Sequence, residues 1–176
     1  MDAAAIAGDI ETAIDAMPSR NLQALRALRR KFSAQLKRED PELVRDIALE
    51  LVHRQPPERG FIRVIAYELI AGRRDAMGIL DRRSVEALGE GISSWDEVDA
   101  FAVIISGNAW RDGRIDDKTI EAWARSSDRW WRRAALVSTV PLNLKSRGGN
   151  GDSGRTLRIC TLLIQDRDDM VVKAMS

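Results

Sequence analysis

An indole and a carboxylate stand four residues apart at Trp95 and Asp99, within Ser93-Ser94-Trp95-Asp96-Glu97-Val98-Asp99. In a helix that spacing puts both side chains on one face. Further on, Trp130-Trp131-Arg132-Arg133-Ala134-Ala135 places a second aromatic and charged cluster at the head of another apolar pattern. The chemistry open to these residue types is specific. An indole face attracts a cation by about 0.5–2 kcal/mol. A carboxylate held in place stabilises positive charge that develops beside it. A guanidinium grips phosphate through two parallel hydrogen bonds. Together they suit a flat, cationic ligand attached to phosphate. Each residue also has a plainer use. Trp95 can staple a helix start to its neighbour, the acids at 96, 97 and 99 suit a first turn, and Arg133 can pair with a neighbouring acid. Trp130 and Trp131 lie about 100° apart on a helix, so one is expected in the core. By the same rule Arg132 is expected to point away from Arg133, toward solvent.

Helical periodicity supplies the elements that must position these groups, and no convincing alternating strand is visible. Helices are predicted over 3–16, from Asn21 to Leu36, and from Asp40-Pro41 to about His53, stopped by Pro56-Pro57. Asp followed by Pro is a cap and first-turn signal. Another helix is predicted from near Glu58 to Gly72, then two short segments within 75–90. Ser94 is expected to cap a helix ending at Ser106-Gly107, because glycine is the usual C-terminal signal. The pattern continues with 117–125, then Asp128 to Pro141, a flexible loop over 143–152, Ser153 to about Gln165, and a last helix opened by Asp168-Asp169. Alternate starts near 21, 58, 94, 128 and 169 recur every 34–41 residues, within the range of helical-hairpin repeats. The expected fold is all-α: a single domain, 1–176, of antiparallel helix pairs stacked as a HEAT-like solenoid with a concave face. Trp95, Asp99, Trp130 and Arg133 fall on successive helices of one set and are expected to converge on that face. The apolar ending Val171-Val172-Lys173-Ala174-Met175-Ser176 lacks a cap, so further repeat sequence is expected beyond it.

The totals bound the function. With 44% hydrophobic and 31% charged residues the chain is a folded globular protein rather than a disordered one. No apolar run reaches the roughly 18 residues needed to span a bilayer, and no signal peptide is visible at the N-terminus. The single Cys160 cannot form an internal disulfide and reads as a core residue of a reducing compartment. A net charge of +1 argues against a uniformly basic nucleic-acid binder. The positive charge is carried by 23 arginines against five lysines, which favours planar contacts to phosphate or reflects codon bias. His53, at a helix end and without a Cys or second His cluster, is not expected to bind metal. Gly148-Gly149-Asn150-Gly151-Asp152-Ser153-Gly154 lacks the Lys-Ser/Thr of a phosphate-binding loop.

The Ser94–Asp99 cluster, Trp123 and the Trp130–Ala135 cluster resemble the AlkD-type DNA alkylation-repair glycosylases, a family of HEAT-like repeats. The resemblance continues diffusely through Arg26–Phe32 and Glu58-Arg59-Gly60-Phe61, although only the two clusters are specific. It implies release of N3- and N7-alkylated purines from duplex DNA, without a cofactor, by a cytoplasmic bacterial protein acting as a monomer. It implies that Trp95 is an active-site indole, Asp99 the essential carboxylate, and Arg133 a holder of backbone phosphate. Arg132, Trp130 and Lys173 are then expected to line the DNA. The family's further active-site tryptophan would follow the Lys173-Ala174 approach, beyond Ser176. The competing expectation is a non-catalytic HEAT-type scaffold or DNA-binding module, favoured by the near-neutral charge.

Overall fold

The computed structural model describes residues 2–54 and 60–175. The predicted Pro56-Pro57 stop and the helix start near Glu58 lie outside them. Every regular element among the described residues is helical, and no helix is long and apolar enough to cross a membrane. The chain divides into two compact units, Met1–Leu80 and Asp81–Ser176.

The first unit contains α1 (Ala3–Asp15), α2 (Leu22–Gln35), α3 (Pro41–His53), α4 (Gly60–Ala71) and the short α5 (Arg74–Gly78). Local chemistry sets the starts. Asp2 and Asn21 accept hydrogen bonds from the first-turn amides of Ala4 and Ala24, and Pro41 occupies the first turn of α3. α3 packs on both α1 and α4, and α2 packs on α4. The apolar stripes of these helices interlock through the fully buried Ile10, Ile14, Ile47, Leu51, Ile62 and Ile70. His53 closes α3, its Nδ1 2.8 Å from the Leu49 carbonyl oxygen.

The second unit contains α6 (Arg82–Gly89), α7 (Trp95–Phe101), α8 (Gly107–Arg111), α9 (Asp117–Ala124), α10 (Arg129–Val137), α11 (Val140–Asn143), α12 (Ser153–Leu163) and α13 (Asp169–Met175). It has two layers. α7, α10 and α13 pack in sequence as one layer, while α9 packs against α10 and α12 as the other. Phe101, Trp123 and Trp131 fill the space between them, with ring centroids 4.8–6.1 Å apart. Trp131 is therefore the inward-facing member of the Trp130-Trp131 pair. α7 and α10 run parallel: Asp99 pairs with Arg133, and beyond the C-terminal ends of both helices Ser106 pairs with Ser138.

Five expectations are corrected here. The helix that begins at Trp95 does not stop at Ser106-Gly107. It passes through one π turn, Ala102–Ser106, and continues as α8 to Arg111. Gly107 serves close packing instead, since a Cβ there would lie 2.6 Å from the Ser138 carbonyl oxygen and 2.8 Å from Pro141 Cδ. α10 ends at Val137 rather than Pro141, and Asp152 rather than Ser153 caps α12, accepting from the Arg155 amide. The 143–152 segment is built rather than loose. Gly148 takes a left-handed turn at φ +85°, Gly149 N–H donates to the Leu144 carbonyl, and Asn143 Oδ1 accepts the Asp152 N–H. Cys160 is half-buried, so it borders the core rather than filling it.

Candidate functional site

The site is made where α7 and α10 lie side by side. Ser94 precedes α7 in extended conformation, and Glu97 folds back so that its Oε2 accepts the Ser93 N–H at 3.0 Å. Glu97 is buried, so this first-turn acid fixes the entry of the chain into the helix rather than merely meeting the helix dipole. Val98, Phe101 and Ala102 anchor the inner stripe of the same helix. Trp95 and Asp99 are left together on another face. Trp95 is 58% exposed, which is unusual for so large an apolar ring.

Asp99 does not stand alone. Arg133 Nε donates to Oδ1 at 2.8 Å and Arg133 Nη2 to Oδ2 at 2.7 Å, the two-pronged geometry of a strong charge-assisted pair. Arg133 Nη1 donates to the Met170 carbonyl on α13 at 2.5 Å. The guanidinium thus ties three consecutive helices of one layer at a single point. Arg133 is 7% exposed, whereas the Asp99 side chain keeps 31% of its surface. Each carboxylate oxygen has spare lone pairs.

Asp99 and Arg133 are brought together by their paired hydrogen bonds, and Trp95 lies one turn before Asp99 on α7. Trp130 joins them by placement, since it lies three residues before Arg133 on α10. It is half-buried, and the Arg129 guanidinium carbon sits 4.8 Å from its ring centroid. Arg132 differs from its expected solvation. Its Nε donates to Asp166 Oδ2 at 2.7 Å, and its Nη1 donates to the Ser126 and Ser127 carbonyls at 3.1 and 3.0 Å. Those partners draw it into the turn before α10, leaving its side chain 19% exposed. Burial pushes the Asp166 carboxyl upward, but the Arg132 hydrogen bond and the Asp168 amide together outweigh this and hold it below its ordinary range. Lys173 is exposed and pairs with Asp169 one turn earlier at 2.6 Å.

Two participants escape a reading of sequence clusters: the Met170 carbonyl, which is backbone, and Arg129, which opens α10 beside Trp130. The Arg-Trp-Trp-Arg-Arg spacing holds a signal for Arg129, since 129 and 133 are one helical turn apart.

Among curated proteins and among solved structures, no match to the chain is found. A family model described as DNA alkylation repair enzyme matches residues 19–176, a span that holds every residue of the site. The chain belongs to the DNA alkylation repair enzyme family, and its partner is DNA.

Proposed function

We propose that the protein is a monofunctional DNA glycosylase that releases positively charged N3- and N7-alkylated purines from duplex DNA. The observation that carries this reading is an exposed indole one turn from a carboxylate that is itself clamped by a buried arginine. Alkylation at N3 or N7 gives the purine a positive charge, so the base leaves as a neutral molecule when its bond to C1′ breaks. Both bonding electrons go to the purine nitrogen, and positive charge moves onto the sugar. Water then adds to C1′ and loses a proton. Trp95 offers its face to the cationic base, a contact worth about 0.5–2 kcal/mol. Asp99 stabilises the sugar cation and orients the water through its exposed lone pairs. Arg133 prevents Asp99 from turning away, so little reorganisation is needed as charge develops. The base already carries its activating charge, so no acid to protonate it and no nucleophile are required. The same reading has the protein act as a monomer in the cytoplasm.

Release of 7-methylguanine from methylated duplex DNA tests the activity. Asp99→Asn is expected to slow release by about 100-fold or more, in the range found when a single preorganised electrostatic group is removed. Undiminished release by Asp99→Asn would exclude this mechanism. A second reading has its own observation: the Asp99–Arg133–Met170 junction would also serve as a purely structural tie between helices. It predicts DNA binding with no base release at any protein concentration.

A further inference from the structure

Arg129 and Arg133 lie one turn apart on α10 and project from the same side of it. Their surroundings are opposite. Arg133 is buried and spends one N–H of each guanidinium nitrogen on Asp99 and the Met170 carbonyl. Its two remaining N–H groups belong to a side chain only 9% exposed, which leaves a phosphate little access to them. The Arg129 side chain is 51% exposed, and its nearest carboxylate oxygen, Asp168 Oδ2, is 3.7 Å away, beyond hydrogen-bond distance. Among the described residues it donates no hydrogen bond. Its guanidinium carbon rests 4.8 Å from the centroid of the Trp130 ring. A guanidinium held over an indole by cation–π attraction keeps its unpaired N–H groups available to a phosphate. The contact also limits the rotamers open to a long side chain, which lowers the entropy lost on binding.

We propose that Arg129, seated on Trp130, is the backbone-phosphate contact of this chain, and that Arg133 is a positioning residue acting through Asp99. The inference rests on the glycosylase reading for its choice of DNA as the ligand. Four residues of helix place the two arginines about 6 Å apart along the axis. That is close to two steps of about 3.4 Å along one DNA strand, so a phosphate on Arg129 is near a nucleotide whose sugar meets Asp99. Asp168 is the acid that faces Arg129, and Asp128 precedes it in the chain. The distance to Asp168 leaves the phosphate to outcompete a weak partner.

The test measures binding of a methylated duplex oligonucleotide over a salt series, together with kcat and KM for base release. Arg129→Gln is expected to reduce the slope of log K against log salt by about 0.9, the loss of one phosphate contact, and to raise KM with kcat unchanged. Trp130→Leu is expected to weaken binding in the same direction. Arg133→Lys is expected to keep the slope and lower kcat, because a single ammonium cannot hold both Asp99 oxygens. If Arg133→Lys fails to fold, as circular dichroism would report, the slope of Arg129→Gln decides alone. An unchanged slope in Arg129→Gln overturns the proposal, as does a slope loss of the same size in a folded Arg133→Lys. Wild-type protein that binds DNA without releasing base would sink the glycosylase reading, while the Arg129 slope still judges this one. Wild-type protein with no affinity for duplex DNA at low salt would overturn both.

Discussion

Trp95 and Asp99 share a helical face, yet physical chemistry assigns them opposite sensitivities. Trp95 is largely exposed, so its replacement removes little packing. Trp95→Ala is expected to shift stability by no more than about 0.5 kcal/mol. Base release should slow by roughly 2- to 30-fold, which is the cation–indole attraction expressed as a rate. A thermal melt beside a release assay separates the two roles: a large drop in Tm would make Trp95 a packing staple after all. Asp99→Ala is expected to do the reverse of sparing the fold. It leaves the Arg133 guanidinium buried with one acceptor, the Met170 carbonyl. Unpairing a buried ion costs about 3–5 kcal/mol, and the partial exposure of Asp99 brings the expected loss to about 2–3 kcal/mol. Asp99→Asn keeps an acceptor oxygen for the arginine, which is why it is the better probe of chemistry.

At the scale of elements, the helix from Trp95 to Arg111 shows what a sequence exposes and what it conceals. Its start is local chemistry: Ser94 stands at the boundary without a side-chain cap hydrogen bond, and Glu97 folds back to accept from the Ser93 amide. The same holds for Asn21, Asp116, Asp128 and Asp168, short acceptors immediately before helices, which place their own hydrogen bonds. Its middle is not local. Ser106-Gly107 reads as a stop because glycine after a polar residue commonly ends a helix. The missing Cβ is needed instead for the Ser138 carbonyl, 31 residues away in sequence. The Arg132–Asp166 pair and the Arg133–Met170 bond span similar separations, so residue types alone could not assign them. The π turn at Ala102–Ser106 accommodates this close approach: Ser106 Oγ lies 2.7 Å from Ser138 Oγ, and Asn108 Nδ2 donates to the Val103 and Ile104 carbonyls at 2.9 Å each. Gly107→Ala is accordingly expected to destabilise by about 1–3 kcal/mol, as overpacking of a tight contact does. It should also lower kcat, since the wedge lies between the two helices that bring Asp99 to Arg133. A melt or a denaturant titration showing no loss would mean that the backbones separate freely, and that the π turn does not govern their approach.

At the scale of the whole molecule, arginine–aspartate pairing makes acid the sharpest stress. Among the described residues, four carboxyls are held below their ordinary range. Asp75 is lowered first by its hydrogen bond from Arg73, and Asp116 by that from Thr119. Asp152 is lowered first by the Arg155 amide, and Asp166 by Arg132 and the Asp168 amide against the opposing effect of burial. One of these lies in the first unit and three in the second, so both units should feel acid. A carboxyl whose folded pKa is depressed binds its proton more weakly folded than unfolded. Its stabilisation is therefore complete above the unfolded value of about 3.9 and fades as pH falls through the lower folded value. Charge works the same way, because protonating the 27 acids leaves 28 lysines and arginines unopposed. Tm followed by circular dichroism is expected to be level above pH about 5 and to fall steeply below about 4. Asp166→Asn should lower Tm at pH 7, where it loses a charge-assisted partner of Arg132, and the difference from wild type should shrink as pH falls through the depressed folded value of Asp166. A difference that stays constant across that range would show that Asp166 contributes through packing and not through its charge.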